Sequence, residues 1–303
     1  MTDKPQPKPI RESLQQAAKE LQPTRITCST DLDVGLLEAE ILLAYVIGKD
    51  RTWLRIHDDT LLTTTQSRRF RALVRRRQKH EPIAYLIGTK EFYGLPFFVN
   101  RHVLIPRPDS ELLVDLTIKS LSSEPRATDL VWDVGTGSGA VALAIATRIA
   151  PRQVLATDIS TQALRVAKKN ALSLQQSNVT FVQANLLDTK LQHRLKQRAY
   201  QRLIIVANLP YLPMEDKKKL EPDVVQYEPA NALFARKDGT ALIECLMKQL
   251  ATSNIRFTSA FFEYDPPQTK KLRSLAKFFF PKAKIKIYKD LAGRNRVLQI
   301  LSA

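Results

Sequence analysis

The chain reads as an α/β protein: a mostly parallel sheet with helices on both faces and a terminal antiparallel pair, preceded by a small helical bundle. Three observations predict this. From Leu130 onward, short apolar runs alternate with helical stretches, the pattern of strand–helix–strand units. Residues 10–80 carry helical spacing and charge but no strand signal. At 303 residues the chain is long enough to bury two cores.

Composition narrows the function classes. Hydrophobic residues make up 44% and charged residues 25%. No apolar run approaches the ~18 residues of a membrane span, so no membrane partner is expected. The first eleven residues hold three prolines and no apolar core, which excludes a signal peptide and predicts a disordered leader over residues 1–10. A net charge of +17 predicts an anionic partner or proximity to RNA or the ribosome. Cys28 and Cys245 are far apart, and four histidines are scattered without ligand spacing. No disulfide framework and no metal site is expected, and the compartment is read as the cytoplasm. A monomer is the expected state.

In chain order, Asp31 to Gly48 places Val34, Leu37, Ile41, Leu42, Tyr45 and Val46 at helical spacing. Thr63 to Lys79 is a second helix with Phe70, Leu73 and Val74 inward. Its other face holds Arg68, Arg69, Arg71, Arg75, Arg76, Arg77 and Lys79. Such a run is either a solvated face or a docking surface for an acidic protein or RNA. Residues 1–80 form the helical domain. Prolines and glycines then punctuate residues 81–107, a hairpin-like linker. Pro106 to Glu111 opens a helix, with Asp109 and Ser110 as caps. Residues 108–303 form the α/β domain. Its strands are predicted at Leu130–Val134, Gln153–Thr157, Val179–Gln183, Leu203–Val206 and Ser259–Tyr264, then at Lys284–Tyr288 and Val297–Leu301 around Gly293. Helices are predicted at Ala140–Ala150 and Thr161–Leu174.

Two stretches carry chemistry. Asp133-Val134-Gly135-Thr136-Gly137-Ser138-Gly139-Ala140 joins a strand to a helix, and its small residues let the backbone approach a ligand. A P-loop pattern is absent. The spacing does satisfy the degenerate dinucleotide pattern, yet Asp133 would repel a pyrophosphate and suits instead the positive charges of S-adenosylmethionine. Asp158 closes the second strand, where a carboxylate accepts ribose hydroxyls. Asn185 and Leu186 close the third, where they suit an adenine amine and its ring face. The fourth strand ends in Asn208-Leu209-Pro210-Tyr211, on the same rim of the sheet. A carboxamide oxygen, a main-chain carbonyl and an aromatic ring suit a planar group carrying an NH2. That group is an amide or an exocyclic base amine.

Over nearly its whole length the chain resembles the protein-(glutamine-N5) methyltransferases of peptide chain release factors, the HemK/PrmC type. The resemblance rests on Glu81-Pro82 through Tyr85 and Gly88 to Glu91-Phe92-Tyr93-Gly94, and on Leu104-Ile105-Pro106-Arg107-Pro108-Asp109-Ser110-Glu111. It continues in the glycine stretch, Asp158, Tyr227-Glu228-Pro229 with Ala232-Leu233, Asp238-Gly239, and Asp290-Leu291-Ala292-Gly293 with Arg296-Val297. It implies a Rossmann-like class I methyltransferase domain behind a helical domain that grips a class I release factor. Carried over by position, Gly135 to Gly139 and Asp158 hold S-adenosylmethionine, and Asn208 to Tyr211 hold the substrate glutamine. Two departures stand out. Leu209 replaces the first proline of the usual NPPY, giving the NLPY form familiar in adenine-N6 methyltransferases of ribosomal RNA; an adenine-N6 methyltransferase acting on RNA or DNA is the alternative reading. Asp265 replaces the glycine of a Glu-x-Gly-x-x-Gln stretch that otherwise keeps Glu263 and Gln268. A non-catalytic protein with a degenerate cofactor fold is the third reading.

Overall fold

The computed structural model describes residues 8–21, 30–122, 128–148 and 153–302. In chain order its helices are α1 (Ile10–Glu20), α2 (Thr30–Ile47), α3 (Arg51–Ile56), α4 (Thr64–Gln78), α5 (Ile83–Ile87), α6 (Glu111–Ser122), α7 (Ala140–Arg148), α8 (Thr161–Ser173), α9 (Thr189–Lys196), α10 (Pro222–Tyr227), α11 (Ala230–Leu233), α12 (Ala241–Thr252) and α13 (Thr269–Phe279). The strands are β1 (Thr89–Phe92), β2 (Leu95–Phe98), β3 (Leu130–Val134), β4 (Gln153–Asp158), β5 (Val179–Gln183), β6 (Leu203–Ala207), β7 (Leu212–Pro213), β8 (Phe234–Ala235), β9 (Ser259–Glu263), β10 (Lys284–Lys289) and β11 (Asn295–Leu301). They gather into two compact units, residues 1–88 with 221–227 and residues 89–220 with 228–303. No helix among the described residues is long and apolar enough to cross a membrane.

The first unit is all helical. Thr63 and Gln66 form a reciprocal capping box that starts α4, and Asp50 accepts from the Trp53 N–H to start α3. Its core joins Leu14 of α1, Leu42, Leu43 and Val46 of α2, and Phe70 and Val74 of α4. The buried stripe of α2 is thus Ala39, Leu42, Leu43 and Val46, while Val34, Leu37 and Tyr45 are exposed. The expected disordered leader is too long. Ile10 is fully buried and opens α1, and the Leu62 N–H donates to the Lys8 carbonyl; residues 1–7 lie outside those described. Residues 221–227 belong to this unit because Asp223 pairs with Arg77 and the Tyr227 hydroxyl donates to the Lys79 carbonyl.

The second unit is built on a seven-stranded sheet ordered β10-β11-β9-β6-β3-β4-β5. The pairs among β9, β6, β3, β4 and β5 are parallel, and β11 lies antiparallel between β9 and β10. Every residue of β3 and β6 is buried, as expected for strands covered on both faces. Alternation divides them: Trp132 and Ile205 enter one core with Leu246 and Phe262, while Val131 and Ile204 enter the other with Leu143 and Val114. The strand order reverses between β3 and β6, so a crevice opens beyond their carboxyl ends. The linker expectation for residues 81–107 is redrawn. Residues 83–87 are helix, the unit boundary falls at Gly88, and the β1–β2 hairpin belongs to the sheet unit. Phe92 and Phe97 of that hairpin are buried beside Leu113 of α6.

Candidate active site

The glycine stretch leaves β3 and turns back under hydrogen bonds from the Gly135 and Thr136 N–H groups to the Thr157 carbonyl, at 2.8 and 2.9 Å. Asp158 at the end of β4 pins it further. One carboxylate oxygen accepts the Gly137 N–H at 2.9 Å and the other the Ser160 N–H at 2.8 Å. Gly135 has φ +74°, and a Cβ there would meet Leu209 Cδ2 at 3.0 Å, so only glycine lets the two loops approach. Gly139 plays another part. A Cβ on it would press on Ala167 and Leu143, so it sets the packing of α7 against α8.

Two adjoining cavities lie beyond the strand ends. The larger, about 300 Å³, is lined by Asp158, Asn185, Leu186, Leu209 and Pro210, among others. The smaller, about 60 Å³, is lined by Asp133, Thr136, Ser138, Arg107 and Ser110, among others. Gly135, Gly137 and Asn208 line both. Gly139 and Tyr211 line neither. The expected site residues are therefore brought to one crevice, except for these two.

Asp133 is buried and accepts the Thr136 hydroxyl at 2.6 Å. Burial pushes its carboxyl up to about 7 against the pull of Thr136, and Asp158 adds repulsion. Burial also raises Asp158, against the N–H groups of Ser160 and Gly137. Asn185 and Leu186 are held through Asp188, which accepts the Asn185 N–H and caps α9, and Leu186 takes a left-handed φ of +52°.

Asn208 donates its Nδ2 to Ser110 Oγ at 2.8 Å. Its Oδ1 forms no hydrogen bond among the described residues and remains the group open to a ligand donor. Tyr211 turns away from both cavities: its hydroxyl donates to Glu263 at 3.3 Å, and burial followed by that carboxylate pushes its pKa up. Its carbonyl accepts Gln268 Nε2 at 2.7 Å, which also donates to the Asp238 carbonyl at 2.8 Å. A Cβ on Gly239 would overlap the Tyr211 carbonyl. Asp265 is accommodated without strain. Its φ is −80°, and it forms a capping box with Gln268, so the same Gln268 side chain is held for Tyr211.

Sequence reasoning missed several residues that hold this crevice. Ser110 and Asp109 do not cap the helix that follows: Ser110 receives Asn208, and Asp109 pairs with Arg296 at 3.1 Å. Buried Glu228 accepts the Ile105 N–H at 3.0 Å and the Arg107 guanidinium. Buried Glu263 is bonded to Tyr211. These residues sit in the blocks that carry the resemblance, which was the one signal available for them.

Residues 12–88 match the model of the PrmC N-terminal domain and residues 131–225 that of a methyltransferase domain. The chain is 34% identical to the release factor glutamine methyltransferase of Buchnera aphidicola subsp. Schizaphis graminum, over 86% of this chain and 90% of that relative. It is 32% identical to a bifunctional methyltransferase of Rickettsia felis over 95% of this chain, and spans 57% of that longer relative. Among solved structures, the hMettl16 catalytic domain in complex with MAT2A 3'UTR hairpin 1 is similar with a TM-score of 0.54 at 14% identity, covering 86% of this chain and 90% of that one. That likeness is one of fold alone.

Proposed function

The chain belongs to the release factor glutamine methyltransferase family, and from that premise we propose that it methylates the side-chain amide nitrogen (N5) of a glutamine in a class I peptide chain release factor. The class I methyltransferase fold implies S-adenosylmethionine as donor. The residues present fit it. The smaller cavity offers one carboxylate, Asp133, and one guanidinium, Arg107, which complement the ammonium and carboxylate of an amino acid. The larger offers Asp158, whose oxygens each hold one N–H and keep lone pairs for hydroxyls, beside Asn185 and Leu186 for a base. When bound, that donor supplies an electrophilic methyl group.

One observation carries the acceptor reading: Asn208 lines both cavities and turns its NH2 group toward Ser110. Its Oδ1 is thereby left as an acceptor, and an amide NH2 offers two donors. An amide nitrogen is a poor nucleophile because its lone pair is delocalised into the carbonyl. A strong base is not needed to help it. Asn208 Oδ1 and the Leu209 main-chain carbonyl accept its two N–H bonds, fixing the lone pair in the crevice and holding density on nitrogen. Leu209 keeps that carbonyl where a proline would, and its buried side chain packs against Gly135. The surplus proton leaves to water. Tyr211 acts from outside the cavities, tethered by Glu263 and Gln268, so that it anchors the turn.

The test offers the protein a release factor and ribosomal RNA together, with methyl-labelled donor. Label on a release factor glutamine is the expected result; label on RNA alone would overturn it in favour of an adenine-N6 activity. Asn208→Ala should lower kcat at least ~100-fold with donor affinity nearly intact. Unchanged turnover would remove Asn208 from the site.

A further inference from the structure

Between Thr269 and Lys289 the chain carries eight basic residues and no acidic one, which is +8 of its net +17. The stretch comprises α13, the turn after it and the edge strand β10. Part of this charge has a sufficient structural account. Lys271 pairs with Asp238 at 2.7 Å. Ile285 and Ile287 turn to the core that α13 covers, so Lys284 and Lys286 leave by the other face of an edge strand, where charge deters pairing with a foreign sheet.

The outer face of α13 has no such account. Leu272 and Ala276 are buried, while Lys270, Arg273, Lys277 and Phe278 share the exposed side at helical spacing. No ion pair engages these three cations among the described residues. The first turn holds no acidic residue, so Lys270 stands uncompensated at the positive end of the helix dipole. Like charges three and four positions apart, as in Lys270, Arg273 and Lys277, repel one another. The pattern therefore costs α13 stability. Phe278 is 78% exposed, and its ring meets Phe279 edge to face with centroids 5.2 Å apart.

We propose that the exposed face of α13 binds single-stranded RNA, with Lys270, Arg273 and Lys277 on phosphates and Phe278 stacked on a base. The row of cations calls for a polyanion, and Phe278 decides which. An acidic protein surface would neutralise the cations and leave the ring bare, whereas every base presents a π-face to it. Seven of the eight basic residues are lysines, point charges that neutralise a phosphate backbone without reading its sequence. The face is separate from the crevice. α13 starts beside Gln268, which holds Tyr211, and Phe278 lies roughly 13 Å further along the helix. None of the four residues lines either cavity. The RNA is thus a ligand of the protein and not its methyl acceptor.

The experiment titrates the full chain into a short labelled single-stranded RNA of mixed sequence, read by fluorescence anisotropy at several salt concentrations. Affinity should fall with salt, at a log–log slope of about −0.7 per neutralised phosphate. Lys270→Gln, Arg273→Gln and Lys277→Gln combined should weaken binding at least ~10-fold at low salt and make the slope shallower by about 2. Phe278→Ala should weaken binding at least ~5-fold with the slope unchanged. Poly-glutamate and phosphatidylglycerol vesicles serve as competitors, and neither should displace the RNA at matched charge. Equal competition by poly-glutamate, or preference for vesicles, would overturn RNA as the occupant. So would absence of RNA binding, or natural affinity and slope in the triple variant. Calorimetric binding of S-adenosylmethionine identifies folded variants, and if the triple variant fails to fold, Phe278→Ala decides. Failure to methylate a release factor bears on the acceptor reading alone, because RNA binding is measured without turnover.

Discussion

Single residues in this crevice are stabilised poorly where they are needed chemically. Asp133 is the clearest case, since it is buried with only the Thr136 hydroxyl as a side-chain partner. Its ordinary value is 3.8 and burial pushes it to about 7 in the folded chain. Between those values the unfolded chain holds fewer protons than the native one. This carboxyl's contribution to stability is therefore full below about pH 4 and is lost as pH rises through about 7. Asp133→Asn removes the buried charge and keeps an oxygen for Thr136. The variant should melt higher than the natural sequence at pH 8, by an amount corresponding to roughly 2–4 kcal/mol at most. It should also bind S-adenosylmethionine at least ~10-fold more weakly, because the ammonium loses its counter-charge. Calorimetric melting at acidic and alkaline pH, with donor titrations on the same samples, checks both halves. A lower melting point at pH 8 would show that Thr136 and the Ala142 N–H favour the charged carboxylate more than burial disfavours it.

At the scale of elements, sequence legibility follows the range of the interactions. The core strands were read to within a residue because each is a short apolar run, a local property. The glycine stretch was legible for the same reason, since its φ values and its place between strand and helix are local. Helices α1 and α3 were not separated from their surroundings. In α1 only Ile10, Leu14, Ala17 and Ala18 are buried, and α3 is six residues long. The bracing of the acceptor turn was not legible at all. Ser110 meets Asn208, Glu228 meets Arg107, and Gln268 meets Tyr211 across long chain separations that no spacing rule encodes. A cap was a sufficient local account of Asp109 and Ser110, and the local account was not the operative one. The same bracing makes a prediction for the segment before α12. Gly239 has φ +84° and lies against the Tyr211 carbonyl and Gln268 Nε2. Gly239→Ala must push the turn after Asn208 aside or break the Gln268 clamp, so kcat should fall at least ~10-fold with donor affinity little changed. A variant with natural kcat would show that the acceptor turn tolerates movement.

For the whole molecule, the excess of positive charge is the property that a site-level description leaves unused. The net charge is +17, and in the helical unit the basic residues of α4 divide into two kinds. Arg76 is tied to Glu81, and Arg77 to Glu38 and Asp223, so these two brace the unit itself. Arg68, Arg69, Arg71 and Arg75 are exposed, and no ion pair engages them among the described residues. Exposed pairs contribute little to stability, and unpaired charges repel one another, so this face stabilises nothing in the free chain. We propose that its use lies in association. A fixed positive face raises the on-rate for an acidic surface, and it does so in a salt-dependent way. Changing all four arginines to glutamine should therefore raise KM for the release factor at least ~10-fold and blunt the salt dependence of kcat/KM. The same change should leave kcat and donor affinity near their natural values, because none of the four lines either cavity of the sheet unit. Initial rates at low and high salt, with donor titrations beside them, measure all of these quantities. An unchanged KM in the quadruple variant would make the arginine face a solvated surface and move the search for the docking site elsewhere on the chain.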